Sequence, residues 1–134
     1  MNDNYIYRLL QGPQTKLVKD ELDFHFSGGH YVIAIDFDGT LCRNCWPEIG
    51  EPNRRIINAS KTAKAHGAKL ILYTCREKKL LCEAVAWCAK RGLKFDAVNA
   101  NLQQRIDQYG GDCRKISADE YWDDKATYIG GMTQ

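Results

Sequence analysis

Two aspartates, Asp36 and Asp38, end the apolar run Tyr31-Val32-Ile33-Ala34-Ile35 and lead directly into Gly39-Thr40-Leu41. Carboxylates at the end of a buried segment are costly unless they bind a cation or do chemistry. At positions i and i+2 they project to one side for as long as the backbone stays extended. One can then attack an electrophile, and the other can protonate a leaving oxygen and activate water. An ordinary strand-to-turn exit also uses Asp and Gly, but it has no need of a full Asp-x-Asp-Gly-Thr run behind a hydrophobic strand.

Further groups of the right type follow. Thr74 ends the apolar run 68–73, and Asp123-Asp124 end the run from Ile116 to Trp122, with Lys115 just before it. Several carboxylates in one place repel unless neutralised. A hard divalent cation does this, and Mg²⁺ suits one or two carboxylates plus a substrate phosphate. Lys115, a threonine hydroxyl and the backbone N–H groups after Asp36, Gly39 among them, would hold phosphoryl oxygens.

The elements that position these groups are legible in the same rows. The central run reads as a strand buried on both faces. Residues 53–66 carry Ile56, Ile57, Ala59 and Ala63 at helical spacing, closed by Gly67. A second strand, 68–73, leads to an amphipathic helix, 78–90, stopped by Gly92. Phe95–Val98 is a short third strand, and 99–112 a polar loop with at most one helical turn. Ile116–Trp122 is the fourth strand, where Glu120 breaks the apolar pattern and implies an edge. The segment 42–52, with Trp46-Pro47, Gly50 and Pro52, reads as an irregular loop on the pocket rim. Strand–helix alternation predicts an α/β fold, a Rossmann-like parallel sheet with helices on both faces. In such a sheet the C-terminal strand ends share one edge, where ligands bind. Asp36, Asp38, Thr74, Asp123 and Asp124 all fall there. Residues 1–30 form an arm of unassigned role, with a short helix between Thr15 and Phe26, ahead of a catalytic domain over 31–134.

The 134 residues suit a single domain. A net charge of +2 with scattered Lys and Arg gives nucleic acid no support. No apolar run approaches the ~18 residues of a spanning helix. Without an apolar signal core at the start, a cytoplasmic protein with reduced thiols is expected, and no membrane partner. Cys42 and Cys45 have the spacing of a redox or zinc pair, but no second pair completes a site.

Taken together, the motifs resemble those of the haloacid dehalogenase-like (HAD) phosphatase superfamily, in its small cap-less bacterial form. Asp36-Phe37-Asp38-Gly39-Thr40 matches its first motif, Leu72-Tyr73-Thr74 its second, and 114–124 its combined third and fourth. The resemblance implies Asp36 as nucleophile and Asp38 as acid/base. It implies Mg²⁺ held by Asp36, the Asp38 carbonyl and the acidic pair, Asp124 ahead of Asp123. Thr74 and Lys115 would bind the phosphoryl group, with Arg114 and Lys125 as competitors of Lys115. Arg76 either reaches a substrate anion or pairs with Glu77 at a helix start. The spans from Asp38 to Thr74 and from Thr74 to Lys115 are filled by predicted elements, so no cap domain fits. The expected activity is Mg²⁺-dependent phosphomonoester hydrolysis through an aspartyl-phosphate, on a small molecule or a macromolecular end. Phosphotransferase or phosphomutase chemistry on the same acids, and a non-catalytic binding module, are the alternatives. Oligomerisation is left open, the arm being one means of it.

Overall fold

The computed structural model describes residues 4–132. Its centre is β1 (Val32–Ile35), whose four residues are all buried. β1 pairs in parallel with β4 (Lys69–Leu72) on one side and β6 (Glu120–Trp122) on the other, and β4 pairs with β5 (Ala97–Val98). The strand order is β5-β4-β1-β6. The chain therefore moves outward from β1 through β4 to β5, then returns to the opposite side of β1.

Right-handed crossovers turn that reversal into two covered faces. Ile33, Ile35, Leu70 and Leu72 face a core shared with Ile56, Ile57 and Ala63 of α3 (Arg54–Ala65) and Ala84 and Cys88 of α4 (Lys78–Lys90). Val32, Ala34 and Ile71 face the other way, toward Ile116, Leu102 and Ala118 beside α5 (Gln103–Tyr109). The expected α/β, Rossmann-like parallel sheet with helices on both faces is the observed architecture.

The N-terminal arm belongs to the first of these cores. It forms α1 (Tyr5–Gln11) and α2 (Lys16–Phe26), capped by the Asn4 and Thr15 side chains. Leu10, Leu22 and Phe26 are buried in the same cluster as β1. Gly67 ends α3 at φ +119°, where a Cβ would lie 2.6 Å from Phe26 O, so the α3 stop and the α2 end share one close approach. Truncating Phe26 to alanine is expected to cost about 3–5 kcal/mol, read as a lowered urea midpoint with an unchanged slope. A shift under ~1 kcal/mol would separate the arm from the core.

Three local readings are corrected. Residues 42–52 are not irregular: β2 (Cys42–Cys45) and β3 (Glu48–Pro52) form an antiparallel hairpin with a bulge between Cys42 and Asn44. Pro47 sits in its turn and Pro52 at its end, positions that need no ladder N–H. The 99–112 segment contains a seven-residue helix rather than one turn. The fourth strand is only Glu120–Trp122: backbone bonding to β1 begins at Asp119, whose N–H donates to Val32 O at 2.7 Å, and Ile116 ahead of it packs on the sheet face. There Ser117 N–H donates to Asn101 Oδ1 at 2.6 Å, and Asp119 Oδ2 accepts from Val32 N–H at 2.8 Å. Glu120 is indeed partly exposed on the edge strand, where Tyr31 Oη and Trp122 Nε1 donate to it.

Candidate active site

Asp36 keeps the sheet pattern, its N–H donating to Trp122 O at 2.9 Å. The next residue turns away. Phe37 is fully buried, its ring edge-on to Trp87 at 5.4 Å. The N–H groups of Thr40 and Leu41 both return to Phe37 O, at 3.2 and 2.9 Å. Gly39 has φ +90°, and a Cβ there would stand 2.2 Å from Asp124 Oδ2. Glycine is what lets the turn after β1 and the chain after β6 close on each other.

That closure builds the site. Asp36, Asp123 and Asp124 each present a carboxylate oxygen, all within 4.8 Å of one another. Thr40 Oγ1 lies 3.2 Å from Asp36 Oδ2 and 3.5 Å from Asp124 Oδ1, and accepts from Asp124 N–H at 3.0 Å. Burial, then the negative charge of Asp123, pushes Asp36 up from 3.8 to about 7. The β1–β6 boundary is also where the strand order reverses, the position at which open α/β sheets bind ligands.

The raised Asp36 makes a stability prediction. Well below 3.8 the group is neutral in both folded and unfolded chains; as pH rises through about 7 the folded chain acquires a charge that it disfavours. Metal-free stability is therefore expected to fall across that window. A divalent cation among the carboxylates offsets the penalty, so added Mg²⁺ should raise the melting temperature more at about pH 8 than at about pH 5. An equal or absent shift at both would count against a cation site.

Asp38 takes no part in the cluster through its carboxylate. Its two oxygens accept from Arg76 Nε and Nη2, at 2.9 and 2.8 Å. Arg76 is 0 % exposed. It neither pairs with Glu77 at a helix start nor stands open to an anion; hydrogen bonding to Asp38 pushes its own pKa further up. The extended geometry that would aim Asp36 and Asp38 to one side stops at the turn.

Thr74 lies just past β4, on the strand beside β1, where Tyr73 N–H donates to Ile35 O at 2.9 Å. Its N–H donates to Asn99 Oδ1 at 2.8 Å, and its hydroxyl accepts from Arg76 N–H at 3.2 Å. Lys115 is placed elsewhere: its Nζ lies over the Tyr121 ring, 5.4 Å from the centroid, in a separate cleft with Asp112 and Cys113. A cation does stand beside the acids, Lys125, with Nζ 3.9 Å from Asp124 Oδ2. A cleft of about 570 Å³ opens next to the cluster, between Gly39, Thr40, Asp123 and Asp124 on one side and Tyr7 and Arg8 of α1 on the other. The arm thus forms a wall of the cleft that contains the acidic pair. No helix among the described residues is long and apolar enough to cross a membrane.

No protein-family model and no curated protein matches the chain. Among solved structures it is similar to a conserved protein coded by a locus from Bacteroides thetaiotaomicron, with 37 % identity and a TM-score of 0.63 over 77 % of this chain and 81 % of that one. The chain belongs to the family of that protein. The kinship is one of sequence and fold, and chemistry has to be argued from the side chains. In this member they comprise an all-oxygen donor set of three acids, a threonine hydroxyl threaded between two of them, and a fourth acid bound by a buried arginine. Such a set can hold a hard cation and orient one carboxylate against an electrophile. Arg76 is the residue that sequence reasoning undervalued. Its signal was a cation two residues beyond Thr74, at the same sheet edge as the acids, and the adjacent Glu77 offered a simpler partner.

Proposed function

We propose that this chain is a Mg²⁺-dependent phosphomonoester hydrolase of the HAD-like type, acting through an aspartyl-phosphate on Asp36. The observation that carries this reading is the convergence of Asp36, Asp123 and Asp124 within 4.8 Å at the strand-order reversal. The donor set fits Mg²⁺, being oxygen-only and anionic. Asp36, the Asp38 carbonyl, Asp124 and Asp123 would hold it, and when bound the ion neutralises their charge and that of the phosphoryl group.

Asp36 attacks phosphorus, forming the carboxyl–phosphoryl bond as the bond to the leaving oxygen breaks, and Asp38 gives that oxygen a proton. Asp38 then takes a proton from water, whose oxygen attacks the aspartyl-phosphate; phosphate leaves and Asp36 is restored. The Thr74 hydroxyl and the Gly39 N–H would hold phosphoryl oxygens. Lys115 would do so by leaving the Tyr121 ring, in competition with Lys125. The setting we propose is cytoplasmic, where thiols stay reduced.

The test is release of inorganic phosphate from an aryl phosphate, with and without Mg²⁺. Turnover that requires the ion is expected, and transfer to an added alcohol acceptor separates hydrolysis from phosphotransfer. A folded protein inactive with Mg²⁺ on aryl phosphates and on macromolecular phosphate ends would end the proposal.

A further inference from the structure

Arg76 joins three segments of the chain through one guanidinium. From the end of β4 it reaches Asp38 in the turn after β1 by two parallel hydrogen bonds, and it donates through Nη2 to Glu48 O of the hairpin at 3.1 Å. Its guanidinium carbon lies 5.1 Å from the Phe37 ring centroid and 5.2 Å from that of Trp46. Phe37 is buried, whereas Trp46, near the hairpin turn, is 54 % exposed. The plane of the fork is therefore fixed by two rings as well as by its acceptors.

We propose that Arg76 is the positioning residue for Asp38, holding its carboxylate in one plane, tied to the hairpin, so that it accepts the proton of the attacking water in a single orientation. This rests on the phosphatase reading above. A side chain that must exchange a proton with one atom has to be held to about 0.5 Å. A bidentate guanidinium fixes both the position and the plane of a carboxylate, which a lysine ammonium cannot do. The arrangement is also a poor one for stability alone. Burying an ion pair usually gains less than a hydrocarbon pair of the same volume. Here, too, Arg76 Nη1 is buried without a protein hydrogen-bond partner, so the pair is not a fully satisfied one.

The experiment compares wild type, R76K, R76M, D38N and the double variant R76M/D38N on an aryl phosphate with Mg²⁺, with thermal melts to establish folding. R76K keeps the charge and loses the fork. Its kcat should fall roughly 10- to 100-fold, with KM and the Mg²⁺ concentration for half-activation unchanged. If Arg76 acts through Asp38, the double variant should be no slower than D38N. The double variant leaves no buried charge unpaired, so it decides the question even where a single Arg76 variant fails to fold. A fully active R76K, or a double variant slower than D38N, overturns the proposal while leaving the phosphatase reading intact. A wild type inactive on every phosphoester removes both.

Discussion

Replacing Asp36 by asparagine is expected to lower phosphate release by roughly four orders of magnitude or more, the scale on which removal of a nucleophile acts. Two losses coincide, since Asp36 is both the attacking group and a member of the three-carboxylate cluster. An amide is nearly isosteric, so its oxygen can still accept from the Thr40 hydroxyl that now lies 3.2 Å from Oδ2. The fold should therefore survive, and it should gain. Burial and Asp123 keep Asp36 neutral until about pH 7, and above that the folded chain bears the full cost of its charge, so D36N should melt above wild type at about pH 8 without divalent ions and lose that advantage when Mg²⁺ is added. Opposite changes in activity and stability are characteristic of a group placed for function. Activity of D36N within tenfold of wild type would exclude it as the nucleophile.

Gly39→Ala is expected to weaken Mg²⁺ binding about 10- to 100-fold, as loss of a supporting contact around a metal site does. The new methyl would stand 2.2 Å from Asp124 Oδ2 and 2.7 Å from its Cγ. Either the carboxylate withdraws from Asp36 or the turn does, and in both cases the cluster opens. Backbone strain at φ +90° adds a stability loss of about 1 kcal/mol or more. Gly110→Ala separates the two effects. Gly110 has φ +75° but no atom within 4 Å of the added methyl, so this variant should lose stability and keep its cation affinity. Calorimetric Mg²⁺ titrations of the two proteins decide the matter; equal affinities would show that Asp124 is not needed at the ion.

The elements with strong periodicity were the legible ones. The buried run of β1, the α4 span at 78–90 and the Gly67 stop lie where pattern and capping rules put them, because burial on one or both faces writes itself into residue type. From parallel strands, the gathering of Asp36, Asp123 and Asp124 at one edge followed without knowledge of any side-chain rotamer. The parts that failed were decided by tertiary contacts. The hairpin was hidden because Pro47 and Pro52 sit where no ladder bond is needed. The start of β6 was overextended because Ile116 is buried on a sheet face outside any strand, and apolar composition cannot tell the two apart. Asp38 was expected beside Asp36 because alternation is a strand rule, and the turn at Phe37 suspends it. Lys115 has a side chain long enough to serve several sites; the Tyr121 ring that receives it comes from a fold in the chain, not from sequence spacing.

The placement of β6 next to β1 also has a consequence for how the molecule comes into being. Val32 N–H finds its acceptor, Asp119, 87 residues downstream. β1, α3 and β4 follow one another closely in the chain and can associate while it is still being synthesised, whereas closing so long a loop is slow. Until β6 docks, Asp36 lacks Asp123 and Asp124, and the Trp122 carbonyl that receives its N–H is absent. The cation site is thus completed last. Acquisition of Mg²⁺ affinity, followed by stopped flow during refolding, should lag behind the formation of helical signal, so that a half-made chain carries the nucleophile without the means to use it.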